Sequence, residues 1–172
     1  MMGEEPLQPD ERPAPVAEPE IQRRWVIVWM LVVFAADRVA KDWMAQHLVP
    51  GQSIVLLPPV LSFTLIENSG AAFGILQHRQ WLFVAVAMLV LIAGGYALVR
   101  RARFRKQQGI AMGLLMGGAA GNLWDRVVNG RVIDFIHFEH FAIFNLADAS
   151  IVVGMALLLW DGWHREQHHE RR

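Results

Sequence analysis

Three aspartates, Asp125, Asp134 and Asp148, crowd into residues 117–150 together with Asn122, Asn145 and Arg126. All lie in or beside apolar segments, where a charge is costly and therefore marks a working site. Two carboxyls held together in a partly dry site do not both ionise; one keeps its proton and the pair titrates as a unit. Such a pair can take a proton from water and give one to a carbonyl oxygen, which is the chemistry of an aspartic peptidase. Asp134 sits in the apolar run 132–135 and Asp148 in a longer apolar segment, where a carboxyl is least solvated. Asp125 has Arg126 beside it, which suits a structural role. The residues themselves thus single out Asp134 and Asp148 as the catalytic pair.

Other chemistries fit less well. The chain has no cysteine, which excludes thiol nucleophiles, zinc–thiolate sites and disulfides. Ser69 and Ser150 have no histidine placed to serve them. His137, Glu139 and His140 are spaced like no established zinc site. No metal is expected at those three. Formal net charge is zero, so no bulk field points to nucleic acid.

The elements that must carry the pair follow from hydropathy. Residues 1–22 hold five prolines and six acids among few large apolar side chains, and read as a disordered tail. Arg23 and Arg24 precede an apolar run that resembles a signal peptide with a long leader. The alternative is a first transmembrane helix over about 25–45, favoured because three further apolar spans follow. Asp37 and Lys41, four apart, share a face of that helix as an ion pair, which either holds the helix against its neighbours or shapes a polar pocket. Arg38 is expected to reach toward lipid headgroups. Residues 48–68 alternate β-branched runs with prolines and read as a two-stranded sheet outside the membrane. Residues 68–74 (NSGAAFG) bring Asn68 and Gly70 into a small-residue turn.

Residues 81–99 are 19 uncharged, largely apolar positions, the clearest span, followed by five basic residues in 100–106. A third span covers about 109–124, where Gly113, Gly117 and Gly121 repeat every four residues, the pattern of close helix packing in lipid. A fourth runs over about 143–161, with Asn145 and Asp148 three apart on one face. A polar tail, 165–172, closes the chain. The fold class is therefore all-α membrane, four transmembrane helices in a domain over 23–164, with a small extracytoplasmic β-sheet. Arginine and lysine concentrate on one side of this arrangement, which puts both termini in the cytoplasm. Trp25, Trp43, Trp81, Trp160 and Trp163 lie near the span ends, as an interfacial aromatic belt does. The acidic and amide residues then converge on the opposite, extracytoplasmic face.

Five blocks in order carry a family likeness: DRVAK over 37–41, NSGAAFG over 68–74, GGAAGNLWDR over 117–126, VIDF over 132–135 and FNLADASI over 144–151. With them the chain resembles lipoprotein signal peptidase, the bacterial signal peptidase II family, over about residues 25–163. That resemblance implies a four-helix enzyme of the bacterial inner membrane with a small extracytoplasmic sheet. It implies cleavage of diacylglyceryl-modified prolipoproteins before the lipidated cysteine, without a cofactor. It implies sensitivity to globomycin-type inhibitors and close dealings with membrane lipids. Carried over by motif, Asp134 and Asp148 match the catalytic aspartates. Asn68, Gly70, Asn122, Asp125, Arg126 and Asn145, with Asp37 and Lys41, match residues that bind substrate or support the pocket. Two positions depart from the family pattern: Ala40 stands where a serine or threonine is usual, and Phe141-Ala142 where Trp-Pro is common.

Two other classes make different demands. An ion-coupled transporter would spread its carboxylates along a path and show a repeat, and neither is seen. A membrane scaffold would use the glycines and ion pairs for packing alone, and would cleave nothing.

Overall fold

The computed structural model describes residues 19–70 and 79–170, so residues 71–74 of the second motif block lie outside it. Four helices dominate: α1 (Arg23–His47), α2 (Gln80–Arg100), α3 (Lys106–Val128) and α4 (Leu146–Glu170). All four expected spans are helical, each somewhat longer than hydropathy alone marked. The helices α2 and α4 contain segments long and apolar enough to cross a bilayer. The other two mix apolar residues with charge and glycine.

The helix α3 is the hub, packed against each of the other three. Its small residues make this possible. A Cβ at Gly117 would stand 2.7 Å from the Met30 carbonyl oxygen of α1, and one at Gly121 would stand 2.5 Å from the Asp37 carboxylate. The four-residue glycine repeat therefore does what its spacing implied: it brings α1 against α3. Only one stripe of α1 is buried, Val26, Val33, Asp37, Lys41 and Met44. The outward surfaces of the helices are apolar, with Leu31, Leu89, Val99, Val152 and Leu159 all more than half exposed. An apolar exterior over a partly polar interior suits a hydrocarbon solvent.

Short strands close both ends of the bundle. At the start of α1, β1 (Glu20–Gln22) pairs antiparallel with β4 (Arg103–Arg105). The end of the tail expected to be disordered is thus a strand, because Ile21 pairs with the buried Phe104 and lies against Gly109. Residues 1–18 lie outside the described part.

At the other end of α1 stands a four-stranded antiparallel sheet of order β2 (Ser53–Leu57), β3 (Leu61–Asn68), β5 (Val132–Phe138) and β6 (Ile143–Phe144). Two strands were expected in 48–68; the sheet recruits two more from the connection between α3 and α4. The start of the fourth span, expected near residue 143, is accordingly strand, and the helix begins at Leu146. Met44, Leu48, Leu65 and Phe135 form the apolar seat that fixes the sheet to α1. A bulge in β3 between Phe63 and Ile66 sets the pairing Ile66 with Asp134 and Asn68 with Val132.

Candidate active site

Asp134 projects from β5 and is almost fully buried. Asp148 belongs to the first turn of α4 and is half-buried. Asn145 joins them. Its side-chain oxygen accepts the backbone N–H of Asp148 at 2.9 Å, and Asp148 Oδ2 accepts the backbone N–H of Asn145 at 3.2 Å. This reciprocal pair is a capping box, satisfying N–H groups at a helix start where water is scarce. The Asn145 side-chain amide donates to Asp134 Oδ1 at 2.7 Å.

The other two carboxylate oxygens are held in the same way. Asn68 Nδ2, from the end of β3, donates to Asp134 Oδ2 at 2.7 Å. Asn122 Nδ2, from α3, donates to Asp148 Oδ1 at 2.6 Å. Each of the four oxygens thus accepts an N–H from an uncharged amide. Asn68 is itself fixed by Gly70, whose N–H donates to Asn68 Oδ1 at 2.8 Å. Burial, and then the neighbouring Asp148 carboxylate, push the Asp134 carboxyl up to about 7, against the pull of its amide donors.

Charged residues form a second layer behind the amides. Asp37, Lys41 and Asp125 are completely buried. The Lys41 ammonium lies 2.8 Å from Asp37 Oδ2, 2.8 Å from Asp125 Oδ2 and 3.0 Å from Asn122 Oδ1. Asp37 Oδ1 accepts the backbone N–H of Ala147 at 2.9 Å, tying α1 to the start of α4. The Asp37–Lys41 pair therefore ties α1 to α3 and to the start of α4, as the first of its two readings had it.

Two expectations about arginine are corrected. Arg38 does not run to the headgroups; it donates to Asp125 Oδ1 and, at 3.0 Å, to Asp42 Oδ1. Asp125 is thus held by Arg38 and Lys41, from α1, rather than by its sequence neighbour. Arg126 turns the other way, onto the Phe83 ring at 4.9 Å, with its guanidinium donating to the Asn122 backbone oxygen at 3.3 Å. Consecutive helix positions point about 100° apart, so Asp125 and Arg126 could not share a partner. The sequence carried a signal for Arg38, since Asp42 follows it by four residues on the same helix face.

Asn68, Gly70, Arg126, Asp134 and Asp148 line one cavity of about 540 Å³. The rest of its wall is chiefly apolar, from Val132, Phe141, Ala142, Ile143, Phe144, Ile151, Val152 and Val153. These apolar wall residues were not singled out from sequence, because nothing separates them from ordinary membrane-facing side chains. A mostly greasy cavity with two carboxyls and one guanidinium at its polar end suits an amphipathic ligand. His137 lies away from this wall, beside Ser62 and Thr64 of β3 at 3.3 and 3.4 Å.

The family model described as Signal peptidase (SPase) II matches residues 29–164. The chain belongs to the signal peptidase II family. The lipoprotein signal peptidase of Brevibacillus brevis is 38% identical over 139 residues, covering 80% of this chain and 93% of that protein. That of Bacillus velezensis is 41% identical over 132 residues, covering 74% and 86%. A solved bacterial membrane enzyme superposes with a TM-score of 0.80 at 31% identity, covering 88% of this chain and 95% of the other. As a member of this family the protein is a peptidase that removes signal peptides from lipoprotein precursors. The family assignment made from the five motif blocks is confirmed.

Proposed function

We propose that Asp134 and Asp148 are the catalytic pair of a membrane aspartic endopeptidase acting on diacylglyceryl-modified prolipoproteins, just before the lipidated cysteine. The supporting observation is that both carboxyls border one cavity while all four of their oxygens are held by neutral amides. Asp134, the more buried carboxyl, serves as the acid, and Asp148 serves as the base. A water between them gives its proton to Asp148 and attacks the scissile carbonyl carbon, while Asp134 protonates the carbonyl oxygen. The resulting diol collapses as the C–N bond breaks: one diol hydroxyl returns its proton to Asp134, and the leaving amine takes the proton held by Asp148.

The remaining roles follow from position. Arg126, with Asn68 and Gly70, faces the peptide. Asn122 and Asn145 orient the carboxylates, and Asp37, Lys41 and Asp125 brace them. The apolar wall takes the lipid-bearing end of the substrate, and globomycin-type inhibitors compete for the same cavity. All four helices cross the inner membrane, with both termini and the 100–106 basic cluster in the cytoplasm and the sheet outside. That orientation rests on the arginine and lysine count.

The test is processing of a lipidated precursor by purified Asp134→Asn and Asp148→Asn variants. Loss of cleavage by about 10²-fold or more is expected of each. Wild-type turnover by either helical, monodisperse variant refutes the pairing. Labelling of single cysteines placed in 53–57 and in 100–106 checks the orientation, with only the former expected to react from outside.

A further inference from the structure

The pocket is asymmetric in a way that its first-layer contacts do not explain. Among the described residues the two carboxyls meet only amides, yet a fully buried ammonium stands one residue behind them. An asparagine side chain has a donor end and an acceptor end of nearly equal shape, and nothing intrinsic decides which faces which way. Asn122 must present its NH₂ to Asp148. Were it reversed, its oxygen would face the Asp148 carboxylate, and its NH₂ would face an ammonium that has nothing to accept it.

The Lys41 ammonium removes that ambiguity. It carries only donors, so it takes the Asn122 oxygen, 3.0 Å away, and leaves the NH₂ for Asp148 at 2.6 Å. The same Asn122 oxygen accepts Asn145 Nδ2 at 3.1 Å, and that NH₂ also serves Asp134. The cation therefore sets the polarity of the Asn122 amide, and through it the donor on Asp148, whereas Asn145 is fixed separately by the Asp148 N–H and the Ile133 oxygen. Asp37 and Asp125 hold the ammonium from the far side, and Arg38 balances the second of these two negative charges, that of Asp125. Arg126 approaches Asn122 only at its backbone oxygen.

We propose that Lys41 is a positioning residue for peptide cleavage, acting solely by orienting the Asn122 amide. This rests on the reading of Asp134 and Asp148 as the catalytic pair. Lys41 touches neither carboxyl and is not a proton donor in the reaction. Its charge is retained at depth because a neutral donor of either polarity would let Asn122 turn.

A double-mutant cycle tests it. Lys41→Met is made with Asp37→Asn, so that no charge is left unpaired and Asp125 keeps Arg38. Cleavage of a lipidated precursor is measured per folded molecule, with the folded fraction taken from thermal unfolding. The pair D37N/K41M is expected to lower kcat by about 10- to 100-fold, the range for a buried hydrogen bond to a charged group, with KM within about threefold of wild type. Asn122→Ala alone is expected to lose as much. All three changes together should fall no more than about threefold below Asn122→Ala, because the lysine has nothing left to orient. Asn122→Asp is the second variant. It keeps an oxygen for Lys41 but puts another oxygen against Asp148, so it should fold as wild type and lose kcat by at least about tenfold. Losses that multiply in the cycle, a D37N/K41M enzyme of wild-type kcat, or a fully active Asn122→Asp each overturn the proposal. Asp148→Asn run in the same assay separates the two levels: if it cleaves normally, the catalytic reading itself has failed, whatever the cycle gives.

Discussion

Two groups of buried carboxylates lie a few side chains apart, and they are held by opposite means. Asp37 and Asp125 meet cations, Lys41 and Arg38, in direct contact. Among the described residues, Asp134 and Asp148 accept hydrogen bonds only from amide N–H groups. A cation in contact with a carboxylate keeps it ionised and makes it a poor proton carrier. An amide satisfies the oxygens without a full opposing charge, so a carboxyl can still exchange its proton. The same residue type is a brace in one layer and a candidate acid or base in the next, and the partner decides which.

The contrast can be broken by exchanging what each layer depends on. The largest effects set Asp148→Asn against Asp125→Ala. Asp148→Asn should cost about 10²- to 10⁴-fold in cleavage while the protein still unfolds near the wild-type temperature. Asp125→Ala removes a buried partner shared by Lys41 and Arg38, leaving them Asp37 and Asp42, and should cost about 3–5 kcal/mol of stability, a fall on the order of 10 °C in Tm. Equal Tm values for the two variants would erase the distinction.

Next in size is Asn145→Ala, which removes a helix cap and the donor to Asp134. About 1 kcal/mol of stability and about 10- to 100-fold in kcat should be lost together, seen by thermal unfolding and precursor cleavage.

The pH dependence of stability sharpens the comparison further. Asp134 keeps its proton in the fold up to about 7, whereas in the unfolded chain it releases it near 3.8. The folded state binds more protons across that window, so its contribution to stability is full below about pH 4 and is lost as pH rises toward 7. Wild-type Tm should therefore fall between about pH 4 and 7, and Asp134→Asn should flatten that fall. An identical slope in the two proteins would place the titration elsewhere.

The smallest effect is expected at the exposed ion pair of Arg131 with Glu67, which joins β5 to β3 at the surface. Arg131→Ala should change stability by less than about 1 kcal/mol and leave cleavage as it is. A large loss would mean that the sheet needs surface charge to hold Asp134 in place.

Helix content was legible from the chain because lipid-facing segments must satisfy their own backbone, and long apolar runs leave little choice. The glycine repeat foretold the α1–α3 contact because small residues at four-residue spacing are what close approach requires. The Asn145–Asp148 capping box was also written in the spacing, although the two were read there as sharing a helix face and a pocket, not as a cap. What could not be read was partnership across distance. Arg38 was assigned to headgroups and Arg126 to Asp125, since local spacing cannot say which helix will stand opposite.

By itself, then, the sequence determined which segments are helical and which family the chain joins, and it nominated the residues proposed to carry the chemistry. Those properties reside in residue types and short-range periodicity. Only the tertiary structure decided that residues 132–138 add a strand to the sheet and so carry Asp134 to the mouth of the cavity. It alone decided that a buried lysine backs Asn122, and that amides rather than cations touch the two central carboxyls. Hydrogen bonds are directional and short, so their pairing exists only once distant segments have packed.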